Sequence, residues 1–390
     1  MTYQEVPCID WHYPTAIKVG PGRIRETPHW CLQHGITRPL LVTDPFIAEQ
    51  PYTGTLIERF RAAGIDVQLF DQIKGNPTGG NVAAGLDVYR RSERNGVVAL
   101  GGGSPIDAAK AIALMTGQTG QLWDYEDVGN PEATINAAGI APMIAIPTTA
   151  GTGSETGRAA VITDEQARVK RTMLHLKMMP RVAILDAELT LGLPPGLTAA
   201  TGMDALTHCL EAWCSPVYHP MAEGIAAEGM RLIRHALPAV LSDGNDVHAR
   251  QQMLVASALG AASFQRGLGA VHAMAQTLGA LYDAHHGLLN AVLLPYVLRA
   301  NAAMPQEPLE RLARYLDLPG TGLEAILQWV LTLRREGGIP HTLRTLGIDG
   351  SQTDLICRMA VADGCSNTNP VAVSTDYYRR LLDCALDGVL

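Results

Sequence analysis

The sequence contains no CxxC pair, no cluster of lysines and arginines, and no uncharged apolar run of the ~18 residues that span a membrane. Each absence removes a class of function. The seven cysteines (Cys8, Cys31, Cys209, Cys214, Cys357, Cys365 and Cys384) are odd in number and scattered. That pattern fits reduced thiols rather than a disulfide framework or a zinc ribbon. The net charge of −8 and pI of about 5.8, with no basic patch, argue against nucleic acid and anionic membrane as partners. The opening MTYQEVPCIDWHYP lacks a basic patch followed by an apolar run, so no leader is expected and the protein reads as cytoplasmic. Internal repeats and low-complexity tracts are missing too. What is there is globular: 47% hydrophobic and 17% charged residues. At 390 residues the chain is too long for one ordinary core, so two domains are expected.

The first half alternates short apolar runs with helical stretches. Strands are predicted at 14–20, 38–46, 67–71 and 181–186, and within 96–103 and 143–153, where each runs into a Gly-rich loop, with helices over 23–34, 53–63, 79–94 and 104–115 between them. This rhythm predicts a parallel, doubly wound sheet, in which ligands gather at the carboxyl ends of the strands. A β-hairpin over 159–174, turning at Asp164-Glu165, carries Lys170 on its return. Beyond the Pro/Gly-rich LGLPPG the strand-like runs vanish and Ala/Leu/Met-rich helical periodicity takes over. The expected division is an α/β domain over 1–190 and an all-α domain over 191–390.

Three strand ends carry polar or Gly-rich signals. Asp44 closes one strand, where a carboxylate can accept from a ribose 2′-hydroxyl and would repel a 2′-phosphate; a plain turn-forming role before Pro45 is equally open. GVVALGGGSPIDAAKAI runs a strand through Gly101, Gly102 and Gly103 into a helix. Ser104 is expected to cap that helix, with Asp107 at the capping-box position, and glycines there let a phosphate approach the helix N-terminus. The turn is not GxGxxG and lacks the Lys-Ser/Thr of a P-loop. IPTTAGTGS offers Thr148, Thr149, Thr152 and Ser154 at the same sheet edge.

The second half is organised around 200–290. Asp204 and His208 lie one helical turn apart and share a face, while His272, His285 and His286 follow downstream. Imidazoles and a carboxylate suit a divalent transition metal, Fe(II) or Zn(II). Spacing alone does not choose between His285 and His286.

With both signals placed, the sequence resembles the iron-containing (group III) alcohol dehydrogenase family. The matching pieces are GGGSPIDAAKAI, IPTTAGTGSE, GMDALTHCLEA, GLGAVHAMAQTLGALYDAHHG and NAVLLP, and the likeness covers nearly the whole chain. The resemblance implies a Rossmann-like α/β domain plus an all-α domain, the dehydroquinate synthase-like plan, with a cleft between them. It implies NAD(P)-linked interconversion of small alcohols and aldehydes or ketones at a bound metal, and a homodimer or larger homo-oligomer. The family's metal ligands fall on Asp204, His208, His272 and His286. Its cofactor residues fall on Asp44, Asn76, Gly102, Gly103, Ser104, Asp107, Thr148, Thr149, Thr152 and Lys170, and an acidic residue at 44 goes with NAD rather than NADP. Three positions depart from the pattern. Gln276 stands where the family has a proton-relaying histidine, His285 where proline is common, and Thr156-Gly157-Arg158 where Val-Thr follows the glutamate. His285 is the candidate replacement relay. Arg158 could receive an anionic substrate group, though a surface role is the plainer reading. A zinc polyol or glycerol dehydrogenase, a dehydroquinate synthase-like lyase and a non-catalytic NAD-binding protein are the competing functions.

Overall fold

The computed structural model describes residues 10–128 and 134–390. The leader reading and Cys8 fall on residues 1–9, outside the described residues.

In chain order the first half runs β1 (Ala16–Val19), α1 (Thr27–Gln33), β2 (Pro39–Val42), α2 (Pro45–Ala48), α3 (Pro51–Ala62), β3 (Gln68–Phe70), α4 (Gly79–Arg91), β4 (Gly96–Gly101), α5 (Gly103–Met115) and β5 (Met143–Pro147). The hairpin β6 (Ala159–Asp164)–β7 (Val169–Leu174) and β8 (Val182–Leu185) follow. Six strands form a parallel sheet in the order β1-β8-β5-β4-β2-β3. Alternation splits its side chains between two cores. Leu40, Val42, Val97 and Ala99 pack with Ile106 of α5 on one face, and Leu41, Val98 and Leu100 pack with Phe60 of α3 on the other. Burial on both faces is why these strands read as unbroken apolar runs. From β2 the chain goes outward to β3, then returns through β4 to β5 and β8. The order therefore reverses between β2 and β4, and their carboxyl ends flank a crevice.

The second half is helical: α6 (Pro195–Cys214), α7 (Pro220–Ser242), α8 (Val247–Ser263), α9 (Ala270–Tyr282), α10 (His286–Ala300), α11 (Gln306–Tyr315), α12 (Gly322–Glu336), α13 (Thr353–Ala362) and α14 (Thr375–Asp387). Helix α6 is buried continuously from Thr198 to Trp213, and α7, α8 and α10 pack around it. It begins at Pro195, inside the LGLPPG stretch after which helical periodicity was expected to start. Pro195 sits in its first turn, where a missing N–H costs nothing, so a sequence that looks like a break starts a helix instead. Among the described residues no helix is long and apolar enough to cross a membrane.

Candidate metal centre and nucleotide cleft

Asp204 and His208 leave the same side of α6, one turn apart, at 2% and 4% exposure. A carboxylate and an imidazole so deeply buried need partners. α9 brings His272 and the first residue of α10 brings His286, so that one donor atom from each of the four residues lies within 4.8 Å of the others. Asp204 Oδ1 stands 3.8 Å from Nε2 of both His208 and His286. Burial pushes the His208 imidazole down to about 4 and His286 well below its ordinary value. Burial also pushes the Asp204 carboxyl up, but the surrounding imidazoles outweigh it and hold the group low. Three imidazoles and an ionised carboxylate converging in a largely buried site are the donor set a divalent transition ion requires, and Fe(II) and Zn(II) both fit it.

Two further side chains, Glu211 and Asn290, organise this cluster. Glu211 Oε2 accepts from His272 Nδ1 at 2.6 Å, while its Oε1 accepts from the Val271 N–H at 2.7 Å. At His272 burial disfavours the proton, but Glu211 outweighs it and raises the proton affinity. Asn290 Nδ2 lies 2.7 Å from Asp204 Oδ1, 3.2 Å from His272 Nε2 and 3.1 Å from His286 Nε2. Sequence reasoning assigned neither residue a role. The signal was available: Glu211 is three residues past His208 and Asn290 four past His286, on the faces already marked.

The opposite wall comes from the sheet. Asp44 follows β2 and caps α2, accepting from the Ile47 N–H at 2.9 Å, and it also faces the crevice. The turn-forming reading of this residue holds, and its carboxylate stands where a ligand in the crevice could reach it. After β4, α5 begins with Gly102 as its N-cap, and no side chain caps it. The expected Ser104 cap is a misreading: Ser104 lies within the first turn and donates to the Gly75 carbonyl. Asp107 is likewise not a capping-box acceptor, for it takes hydrogen bonds from Ser154 Oγ and the Val161 N–H. It ties the Thr-rich loop and the hairpin to α5. Gly103 is required by contact, because a Cβ there would lie 2.4 Å from Thr152 Cγ2. Thr148 N–H donates to the Gly101 carbonyl, joining two adjacent strand ends.

The hairpin closes one end of the cleft. Lys170 Nζ donates to Asn76 Oδ1 at 2.9 Å, and Asn76 Nδ2 donates across to Asp283 Oδ1 at the end of α9 at 2.6 Å. Burial pushes the Lys170 ammonium down to about 8. The two walls enclose one cleft of about 1710 Å³, and every site residue singled out in the sequence lines it. Gln276 and His285 are among them. Gln276 Nε2 donates to Cys365 Sγ at 3.3 Å, and His285 Nδ1 accepts from the Leu288 N–H at 3.2 Å, capping α10. Arg158 is half-buried and lines the cleft.

Comparison with known proteins decides the family. Residues 14–187 match the model of the iron-containing alcohol dehydrogenases, and 198–386 match the C-terminal model of the same family. The chain belongs to the iron-containing alcohol dehydrogenase family. It is similar to the 4-hydroxybutyrate dehydrogenase of Cupriavidus necator, 39% identical over 95% of this chain and 98% of that protein. It is also similar to the 1,3-propanediol dehydrogenase of Citrobacter freundii, 36% identical over 93% of this chain and 94% of that protein. A solved structure of a 1,3-propanediol oxidoreductase superposes with a TM-score of 0.91 at 34% identity, covering 97% of this chain and all of that one. Members of this family are NAD-linked, iron-containing dehydrogenases, and this chain is an alcohol–aldehyde oxidoreductase of that kind. These matches do not favour a lyase or a non-catalytic protein.

Proposed function

We propose that Asp204, His208, His272 and His286 hold the metal of this dehydrogenase, and that NAD lies along the strand ends from Asp44 to Lys170. The carrying observation is the convergence of the four donor atoms at the bottom of the same cleft that the Gly-rich turn opens into. A divalent ion bound there supplies Lewis acidity to the alcohol or carbonyl oxygen, and NAD supplies or accepts the hydride. The chain's own part is geometric and electrostatic. Gly102 and Gly103 leave the α5 N-terminus open to the pyrophosphate. Asp44 accepts from the adenosine ribose and disfavours a 2′-phosphate, which makes NAD the preferred cofactor. Lys170, steadied by Asn76, donates to the ribose next to the reacting ring. The walls keep donor carbon and acceptor ring close and shielded from water.

Proton exchange with the substrate oxygen falls to His285 in this reading. Gln276 can donate a hydrogen bond but cannot titrate. With Nδ1 occupied by the Leu288 N–H, a neutral His285 carries its proton on Nε2, and that nitrogen is the one it would use.

The substrate is a short primary alcohol with a second polar group. Arg158 favours a carboxylate at the far end, in line with the named substrate of the C. necator relative. The protein acts in the cytoplasm, and edge strand β1, with Ile17 and Val19 exposed at 46% and 43%, suits a homodimer contact.

Anaerobic reconstitution with Fe(II) or Zn(II), followed by NADH formation over primary alcohols, diols and ω-hydroxy acids, tests this. Turnover with one metal, lost in Asp204→Ala and His272→Ala, is expected. Equal turnover in those variants would overturn the assignment. Arg158→Ala should raise KM for hydroxy acids and leave simple alcohols unchanged.

A further inference from the structure

We infer that Asn290 is a positioning residue of the metal centre: its carboxamide holds Asp204, His272 and His286 in the tautomers and directions that a metal needs, before any metal arrives. This rests on the reading of the four-residue cluster as the metal centre.

Asn290 has no exposed surface and sits one turn beyond His286 on α10. Its Nδ2 contacts three of the four candidate donor atoms, at 2.7, 3.2 and 3.1 Å. All three are acceptors when ready for a metal: a carboxylate oxygen and two imidazole lone pairs. An amide NH2 group only donates, so it matches them. The reverse orientation would set the carbonyl oxygen against three acceptors. The inward-facing amine is therefore dictated by the chemistry of its neighbours.

The inward orientation has a cost. Among the described residues Asn290 Oδ1 is buried with no hydrogen-bond partner. A buried carbonyl without a partner is disfavoured, and a helix packed among apolar residues has no need of an asparagine there. The contacts made by the other end are the compensation.

Those contacts select tautomers. A neutral imidazole carries one N–H and one lone pair, and only the lone pair binds a metal. At His272 the choice is doubly determined, since Nδ1 faces Glu211 Oε2 at 2.6 Å and Nε2 faces the Asn290 amine. At His286 it is not. His286 Nδ1 has no hydrogen-bond partner, so the Asn290 amine at Nε2 is the contact that keeps that nitrogen unprotonated. An amide N–H also aims Asp204 Oδ1 at the same point. An NH2 group has two protons for these three acceptors, so one contact is always shared. When a cation arrives both imidazole lone pairs pass to it, and the amide keeps its contact with the Asp204 carboxylate, whose oxygens have lone pairs to spare.

The test uses the full-length enzyme with Asn290→Leu, which keeps the side-chain shape and removes the donor, and Asn290→Ala as a second variant. Metal-free proteins labelled with 15N-histidine report imidazole tautomers by NMR, and competition against a chelator reports Zn(II) affinity. In the wild type, His286 should hold a single tautomer with an unprotonated Nε2. In either folded variant His286 should populate both tautomers, with Zn(II) affinity lower by roughly 10–100-fold. A His286 tautomer unchanged in either variant would overturn the inference whatever the affinity does, because it would make Asn290 a space filler or a ligand. A wild type that binds no metal would sink the metal-centre reading itself; wild-type affinity in both variants would sink the role of Asn290 alone.

Discussion

The helical wall of the cleft and the sheet wall draw on different parts of their residues. In the proposed reading the helical wall works through polar side chains held on buried helices: Asp204 and His208 on α6, His272 on α9, His286 and Asn290 on α10. Three of them are fixed by a neighbour as well as by a helix: Glu211 holds His272, and Asn290 holds Asp204 and His286. The sheet wall, in the same reading, works through backbone and small hydroxyls at strand ends, where Gly102, Gly103, Thr148 and Thr152 leave room instead of reaching out. The difference follows from the ligands each wall suits. A metal ion needs a few directed lone pairs within a narrow distance, which rigid helices supply. A dinucleotide is long and needs access to N–H groups and a helix end, which only a close backbone approach provides.

If the walls are built this way, damage to one should spare the other. The largest effect is expected from Glu211→Gln, which keeps the shape but replaces the carboxylate behind His272. Metal affinity, measured by chelator competition, should fall by roughly 10–100-fold, with NAD affinity unchanged. A change below about twofold would mean that the outer contact does not govern the ligand.

Next comes Gly103→Ala. The new methyl would meet Thr152 Cγ2 at 2.4 Å, so the Thr-rich loop must move. NAD affinity, read by calorimetry, should weaken about tenfold, or ~1.4 kcal/mol, while bound metal stays the same. Loss of metal in this variant would break the separation of the two walls.

The smallest effect concerns Lys170, where stability and function should part. Its folded-state pKa drops to about 8 from an ordinary 10.5, chiefly through burial. Between those values the unfolded chain holds the proton and the folded chain does not, so stability rises with pH across that window. Below it both states are charged and the folded protein bears the whole penalty. Lys170→Met should therefore melt about 2 °C or more above the wild type near pH 7. The margin should shrink as pH rises from 8 to 10.5, and NAD should bind less tightly throughout. A melting difference independent of pH would show that Lys170 charge is not what the fold pays for.

Legibility in the sequence also divides between the walls. The parallel sheet was readable because strands buried on both faces must be apolar throughout, as β2 and β4 are. The i, i+4 pair on α6 was readable because helical spacing alone puts Asp204 and His208 together. Ser104 was misread because a Ser before a Pro resembles a cap, whereas Gly102 already performs that role with its backbone. The start of α6 was missed because Pro194-Pro195-Gly196 looks like a break, and a proline in a first helical turn looks the same.

By itself the sequence determined the parallel sheet, the helical half and the residue types able to bind a metal, since all three depend on local periodicity and side-chain chemistry. Only the tertiary structure decided that α6, α9 and α10 bring four donors within 4.8 Å, that Glu211 and Asn290 stand behind them, and that Asp107 joins the hairpin rather than capping a helix. Those contacts join residues far apart in the chain, and their partners are set by the packing of whole elements, which no local pattern encodes.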